Sequence, residues 1–189
     1  MWANANDAMT VPRELLYDAR LNILLVMPIP EIKQLRDPSP LAVLGLSPLE
    51  PGVPLLLPAS AAADVEIWFD RPTVALTLSV VVGNATTFTL NFTAAPYVGV
   101  NCTTQWRGDG AWRFDSHVPM LSSDESFSVR MLIDVPIIEF VFQGGRAVMT
   151  VPVPTNATSE VSHVEMHASV LGAKLLNATA WSMKSIRIK

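Results

Sequence analysis

The chain contains a single cysteine, Cys102, so no internal disulfide can form and cysteine usage points to no particular redox compartment. It also lacks a long apolar run. Its most apolar stretch, residues 21–30, is interrupted by Asn22, Pro28 and Pro30. It falls well short of the roughly 20 residues a helix needs to cross a bilayer, and no membrane partner is expected. Residues 1–9 have neither the basic head nor the apolar stretch of a secretory leader, so none is expected on this sequence. The net charge is −4 and the lysines and arginines are scattered, which leaves no basic stripe for nucleic acid. There is no G-x-S-x-G element and no glycine-rich phosphate loop. No acyl-transfer nucleophile, nucleotide site or other cofactor is therefore indicated.

What is present is a well-punctuated β pattern. Half the residues are hydrophobic, and 15 prolines and 9 glycines break the chain into short segments. The densest information lies in 127–151. Phe127, Val129, Met131 and Ile133 alternate with Ser128 and Arg130, the period of a strand buried on one face. Asp134-Val135-Pro136 breaks the run. Ile138, Phe140 and Phe142 then share one face, with Glu139 and Gln143 on the other, and Gly144-Gly145 reads as a two-residue hairpin turn. Counting outward from that turn pairs Gln143 with Arg146, Phe142 with Ala147, Phe140 with Met149, Glu139 with Thr150 and Ile138 with Val151. One face is expected to be polar and the other apolar, with Glu139 on the polar face open to pairing with a neighbouring cation or to contact with another domain. The pattern predicts a two-sheet antiparallel β-sandwich, a concanavalin-like jelly roll.

Along the chain, residues 1–36 read as a connector: strands at 13–17 and 22–26, then a helical turn at 31–36. Residues 37–60, with Pro38, Pro40, Pro48, Pro51, Pro54 and Pro58, read as a crossing loop. Residues 61–189 form the sandwich, closing with strands at 161–170 and 173–182 expected to pair around Gly172.

Three collinear segments resemble one enzyme family. IDVPIIEFVFQGGRAVMT, with Asp134, Glu139, Gly144, Gly145, Arg146 and Thr150 in matching positions, is similar to D-x-S-x-x-E-x-F-x-x-G-G-R-x-x-x-T in the C-terminal β-sandwich of glycoside hydrolase family 32. That family holds invertases and other β-fructofuranosidases, fructan hydrolases and related fructosyltransferases. Pro136 replaces the usual serine, and Val151-Pro152-Val153-Pro154 departs from the common S-R-x-Y-P ending. The segment 10–36, with Pro12-Arg13-Glu14-Leu15 and then Pro30-Glu31-Ile32 and Leu35-Arg36, resembles the connector between that family's propeller and sandwich. Trp181-Ser182-Met183-Lys184-Ser185-Ile186 resembles its W-x-M-x-S-I close.

The resemblance implies that catalysis belongs to a five-bladed propeller. Its W-x-N-D-P-N-G nucleophile and E-C acid/base motifs are absent here, and Cys102 follows Asn101. A retaining glycosidase needs two carboxyl groups roughly 5–5.5 Å apart across the bond. Arg36-Asp37-Pro38 spells the third catalytic motif, but in connector context, where Asp37 reads as a stop before prolines. The chain is thus expected to be inactive alone and to carry no catalytic residue. Its implied partner is a propeller in cis, with dimerisation and contact with sucrose or fructan as further expectations.

Other residues invite competing readings. His163, Glu165 and His167 alternate on one strand, but the outer two are about 13 Å apart by strand rise, too far for one ion, so a solvated face is expected rather than a metal site. Trp68 and Trp181 read as core. Trp106 and Trp112 flank the turn 107–110, where either packing or a sugar-stacking platform is open; the latter would make the chain a stand-alone, lectin-like carbohydrate-binding module. Sequons begin at Asn84, Asn91, Asn101, Asn156 and Asn177, a density that suggests a eukaryotic secreted or vacuolar glycoprotein.

Overall fold

The structure, a computed structural model, describes residues 10–71, 76–82, 85–94, 99–106, 113–134, 137–152, 161–168 and 171–184. A hairpin opens the chain: β1 (Arg13–Asp18) pairs antiparallel with β2 (Ile23–Pro28), and a 3-10 turn (Pro30–Leu35) follows. Pro30 fits that turn because its fixed φ suits the first helical position, where no amide donor is required.

Two sheets make up the sandwich. In the seven-stranded sheet, β13 (Ala147–Pro152), β12 (Ile137–Phe142), β11 (Ser126–Asp134), β6 (Ala62–Asp70), β15 (Lys174–Ser182) and β3 (Ala42–Leu44) lie in that order. The two-residue β4 (Ser47–Pro48) also pairs with β15. The six-stranded sheet runs β10 (Arg113–Pro119), β9 (Gly99–Trp106), β8 (Ala85–Ala94), β7 (Leu76–Val82), β14 (Val161–Ala168) and β5 (Leu55–Pro58). Every strand pairing within the sheets is antiparallel. The core lies where the alternating residues of both sheets meet. Val65, Ile67, Phe69, Phe127, Phe140 and Phe142 come from one sheet; Leu57, Leu78, Val164 and Met166 come from the other. Phe140 and Phe142 stack with ring centres 6.1 Å apart, and Phe127 lies 6.5 Å from Phe142.

The expected register of β12 on β13 holds from Phe142–Ala147 through Glu139–Thr150 to Ile138–Val151. Gln143 and Arg146, however, are not a ladder pair. The turn is a tight 3-10 segment over Gln143–Gly145, closed by the Arg146 amide donating to the Phe142 carbonyl at 3.0 Å. Positive φ occurs at Gln143, Gly144 and Gly145.

Three further expectations are corrected. Residues 37–60 supply β3, β4 and β5 rather than only a loop. Pro48 and Pro58 are tolerated because β4 and β5 each pair on one side only, so the missing amide donor can face away from the ladder. The strands β14 and β15 do not pair with each other. Each enters a different sheet, so the chain around Gly172 (φ +114) crosses the sandwich. Trp68 and Trp181 are half-buried on the outer face of the seven-stranded sheet, because the alternation that sends Ile67, Phe69 and Ala180 inward sends them outward.

Candidate functional site

Four of the motif residues, Arg13, Glu139, Gly145 and Thr150, converge where the connector seats on the seven-stranded sheet. Glu139 faces outward from β12 yet is only 1% exposed. The polar face is therefore a covered one, and Glu139 is paired with a cation there. All six residues of β12 are buried, and Leu132, Ile137 and Val141 share the outer face with Glu139. The cover comes from the connector: the Val11 amide donates to Glu139 Oε1 at 2.7 Å, and Arg13 Nη2 donates to Oε2 at 2.6 Å. The same Nη2 lies 3.2 Å from Thr150 Oγ1, so Glu139 and Thr150, paired across the ladder, hold one guanidinium. A buried carboxylate is tolerated only with such charge-assisted partners.

The glycine turn completes the seat. β2 lies against the Gln143–Gly145 turn. A Cβ on Gly145 (φ +91) would lie 2.8 Å from both Met27 Cγ and the Val26 carbonyl oxygen, so a side chain there would collide with the connector. Gly144 (φ +62) meets open space, and its glycine answers to backbone conformation alone. Gln143 extends the sheet where β12 leaves it. Its Oε1 accepts from the Ser128 amide at 2.9 Å and its Nε2 donates to the Ser126 carbonyl at 3.0 Å. Arg146 turns away to pin the 119–125 loop, donating to the Pro119 carbonyl at 3.1 Å and to Asp124, whose carboxylate also accepts from the Leu121 amide at 2.6 Å. The Arg146 guanidinium holds the Asp124 carboxyl below the usual carboxylate range. Asp134, at the end of β11, is exposed and does not join the cluster.

A second clasp, missed from sequence, holds the connector's other end. Asp64 on β6 is fully buried. It accepts from Arg130 Nε and Nη2 at 2.9 and 2.7 Å and from Arg36 Nε at 2.7 Å. Arg36 also donates to Glu66, and its guanidinium lies 3.8 Å from the centre of the Trp181 ring. Burial disfavours the Arg36 charge, but the hydrogen bonds to Asp64 and Glu66 outweigh it and raise the pKa. Lys33 Nζ stands 3.8 Å from Glu66. The available signal was Asp64 and Glu66 alternating with Val65 and Ile67, two carboxylates on one face of an apolar strand.

Elsewhere the expected sites disperse. Asp37 is half-buried, its amide bonded to the Ser182 carbonyl at 2.9 Å and its carboxylate 4.0 Å from Lys184 Nζ. On β14, Val164, Met166 and Ala168 face the core, while His163 Nε2 and His167 Nε2 lie 3.1 and 3.2 Å from opposite oxygens of Glu165. Among the described residues, no group of histidine, cysteine and carboxylates could hold a metal ion. No helix of the described residues is long and apolar enough to cross a membrane. Trp112, Asn84 and Asn156 lie outside the described residues. Trp106 ends β9, and Asn91 on β8 and Asn101 on β9 stand opposite Thr103 and Thr93 respectively. Asn177 is exposed on β15.

No protein-family model and no curated protein matches the sequence. Solved structures do match in fold. The fructan 1-exohydrolase IIa of Cichorium intybus superposes over 94% of this chain and 41% of its own, with a TM-score of 0.77 and 20% identity. The exo-inulinase of Aspergillus awamori matches 94% of this chain and 36% of its own (TM-score 0.74, 14% identity). The sucrose-6-phosphate hydrolase of Lactobacillus gasseri matches 93% and 33% (TM-score 0.65, 16% identity). The fold of this chain is thus the fold of the smaller part of those larger chains.

Proposed function

We propose that this chain is the C-terminal accessory β-sandwich of a family 32 glycoside hydrolase. In this reading a five-bladed propeller in cis hydrolyses sucrose or a fructan, and the sandwich stabilises it. The observation that carries the proposal is the docked connector. The residues that resemble the family's motifs, Arg13, Glu139, Gly145 and Thr150, are those that seat the hairpin on the sheet. The seated hairpin still exposes Leu15 (63%), Tyr17 (63%) and Leu24 (58%), with Tyr17 directly opposite Leu24. Contiguous exposed apolar residues mark interaction surfaces. The propeller is the partner assigned to them, and a homodimer is a further use of the same sandwich. Residence in a eukaryotic secretory compartment or vacuole belongs to the same reading, on the strength of the sequons.

The test has two arms. The isolated chain should release no fructose from sucrose or inulin, and turnover abolished by Asp37→Asn would overturn the accessory reading. By sedimentation the isolated chain should self-associate, and co-expression with a cognate propeller should relieve it. A monomer at high concentration, indifferent to the propeller, would remove the hairpin from the proposed seam.

A further inference from the structure

The connector covers only part of the seven-stranded sheet. Its hairpin seats over β12 and β13, and Arg36 and Lys33 reach Asp64 and Glu66. The far end of the same face, across β6, β15 and β3, carries half-buried Trp68 and exposed Val43, and exposed Leu46 lies in the link between β3 and β4. Asn177 stands among them. It is the ladder partner of Trp68, and its neighbour-but-one Thr179 is the partner of Val43. β3 pairs with 178–180 and β4 with 174–175, so the link between them, Gly45-Leu46, runs alongside Asn177. Side chains directly opposite on one face have Cβ atoms about 4.5–5.5 Å apart. An exposed asparagine that heads the sequon Asn177-Ala178-Thr179 is thus set beside an indole and two exposed aliphatic residues.

We infer that Asn177 carries an N-linked oligosaccharide whose first N-acetylhexosamine lies against Trp68 and shields Val43 and Leu46. The inference rests on the secretory part of the functional reading. The apolar face of a pyranose suits an aromatic ring, and its hydroxyl edge would face water. The Thr179 hydroxyl donates to Asn177 Oδ1 at 3.4 Å, so this bond engages the carbonyl oxygen and not the amide nitrogen that bears the sugar. In the transfer, a bond forms between that nitrogen and C1 of the sugar as the C1–O bond to a polyisoprenyl diphosphate donor breaks. The lipid diphosphate departs and the amide loses one proton. Ala178 and Thr179 are buried in the finished sheet, so transfer precedes folding and the folded strand is closed to the transferase.

The experiment is secretion of the full 189-residue chain from a eukaryotic host behind a cleavable leader, followed by glycopeptide mass spectrometry. Asn177 is expected to be occupied. Enzymatic removal of the glycans, compared with Asn177→Gln as control, should lower Tm by about 2–4 °C, the shift of a contact of order 1 kcal/mol in a domain of this size. In Trp68→Leu that difference should vanish. If Trp68→Leu does not fold, nuclear Overhauser contacts between the sugar and the Trp68 indole decide the same point. An unmodified Asn177, or a glycan effect equal with and without the indole, overturns the inference. Because the leader imposes the route, an unmodified Asn177 refutes the site and not the residence or the propeller.

Discussion

On the seven-stranded sheet the outward carboxylates Asp64 and Glu139 lie beneath the connector, at 0% and 1% exposure. On the six-stranded sheet the outward Glu165 remains half-buried between two histidines. Strand alternation alone puts all three on outer faces. What separates them is cover, supplied by a segment more than a hundred residues away in sequence from Glu139 and by a turn 28 residues away from Asp64. A covered carboxylate must be matched bond for bond, and Asp64 and Glu139 are matched by arginines. A solvated carboxylate needs no such match and contributes little. The covered face is therefore a second, ionic core outside the hydrophobic one, and it fixes where the connector sits.

Removing one member of the covered network should give the largest effect. Asp64→Ala takes from Arg36 and Arg130 their fully buried shared carboxylate, leaving only Glu66, and is expected to destabilise the chain by about 3–5 kcal/mol, read from the denaturant midpoint. That matches the range of about 3–5 kcal/mol for emptying the core with Phe140→Ala. A loss under 1 kcal/mol for Asp64→Ala would break the comparison. Gly145→Ala combines positive φ with collision against Met27 and Val26, for about 2–4 kcal/mol, whereas Gly144→Ala meets only the backbone term of about 1–2 kcal/mol. Equal effects of the two would mean that the connector does not press on Gly145. Glu139→Gln keeps an acceptor for the Val11 amide but removes the charge facing Arg13, for about 1–2 kcal/mol.

The smallest effect belongs to the open face, where Glu165→Gln should cost less than about 1 kcal/mol. Its pH dependence has a definite sign. Burial disfavours the Glu165 carboxylate, but hydrogen bonds from His163 and His167 outweigh this and lower its pKa. The unfolded chain therefore takes up the proton first. The contribution is present above the ordinary carboxylate value and is lost as pH falls through the depressed one. Thermal melts of the parent and Glu165→Gln should converge as pH is lowered from about 5 to about 3. Divergence would reverse the assignment.

The hairpin of β12 and β13 was legible because its residues alternate cleanly and two glycines mark the turn; parity then fixed every pair from Phe142–Ala147 outward. The connector's strands and turn were legible for similar local reasons. The burial of Glu139 was not, since a carboxylate opposite a threonine looks the same in sequence whether water or Arg13 lies above it. The clasp at Asp64 escaped for the same reason, as did the outward placement of Trp68 and Trp181. Large aromatic residues suggest a core, but the parity of β6 and β15 was already committed to Ile67, Phe69 and Ala180. The separation of β14 from β15 was hidden because strands adjacent in sequence usually pair, and nothing local announces a crossing between sheets.

The base of the connector is also stitched to the end of β15. Arg36 bridges Met183, the Asp37 amide bonds the Ser182 carbonyl, and the Lys184 amide bonds the Leu35 carbonyl at 2.8 Å. This has a consequence in time. During synthesis the connector leaves the ribosome early, while its docking partners at 182–184 leave nearly 150 residues later, at about 5–20 residues per second. For several seconds the base of the connector waits without its β15 partners, while Leu15, Tyr17 and Leu24, exposed even in the seated hairpin, stay open to whatever binds nascent apolar chain. Final seating of the connector's base is thereby gated by completion of the last described strand.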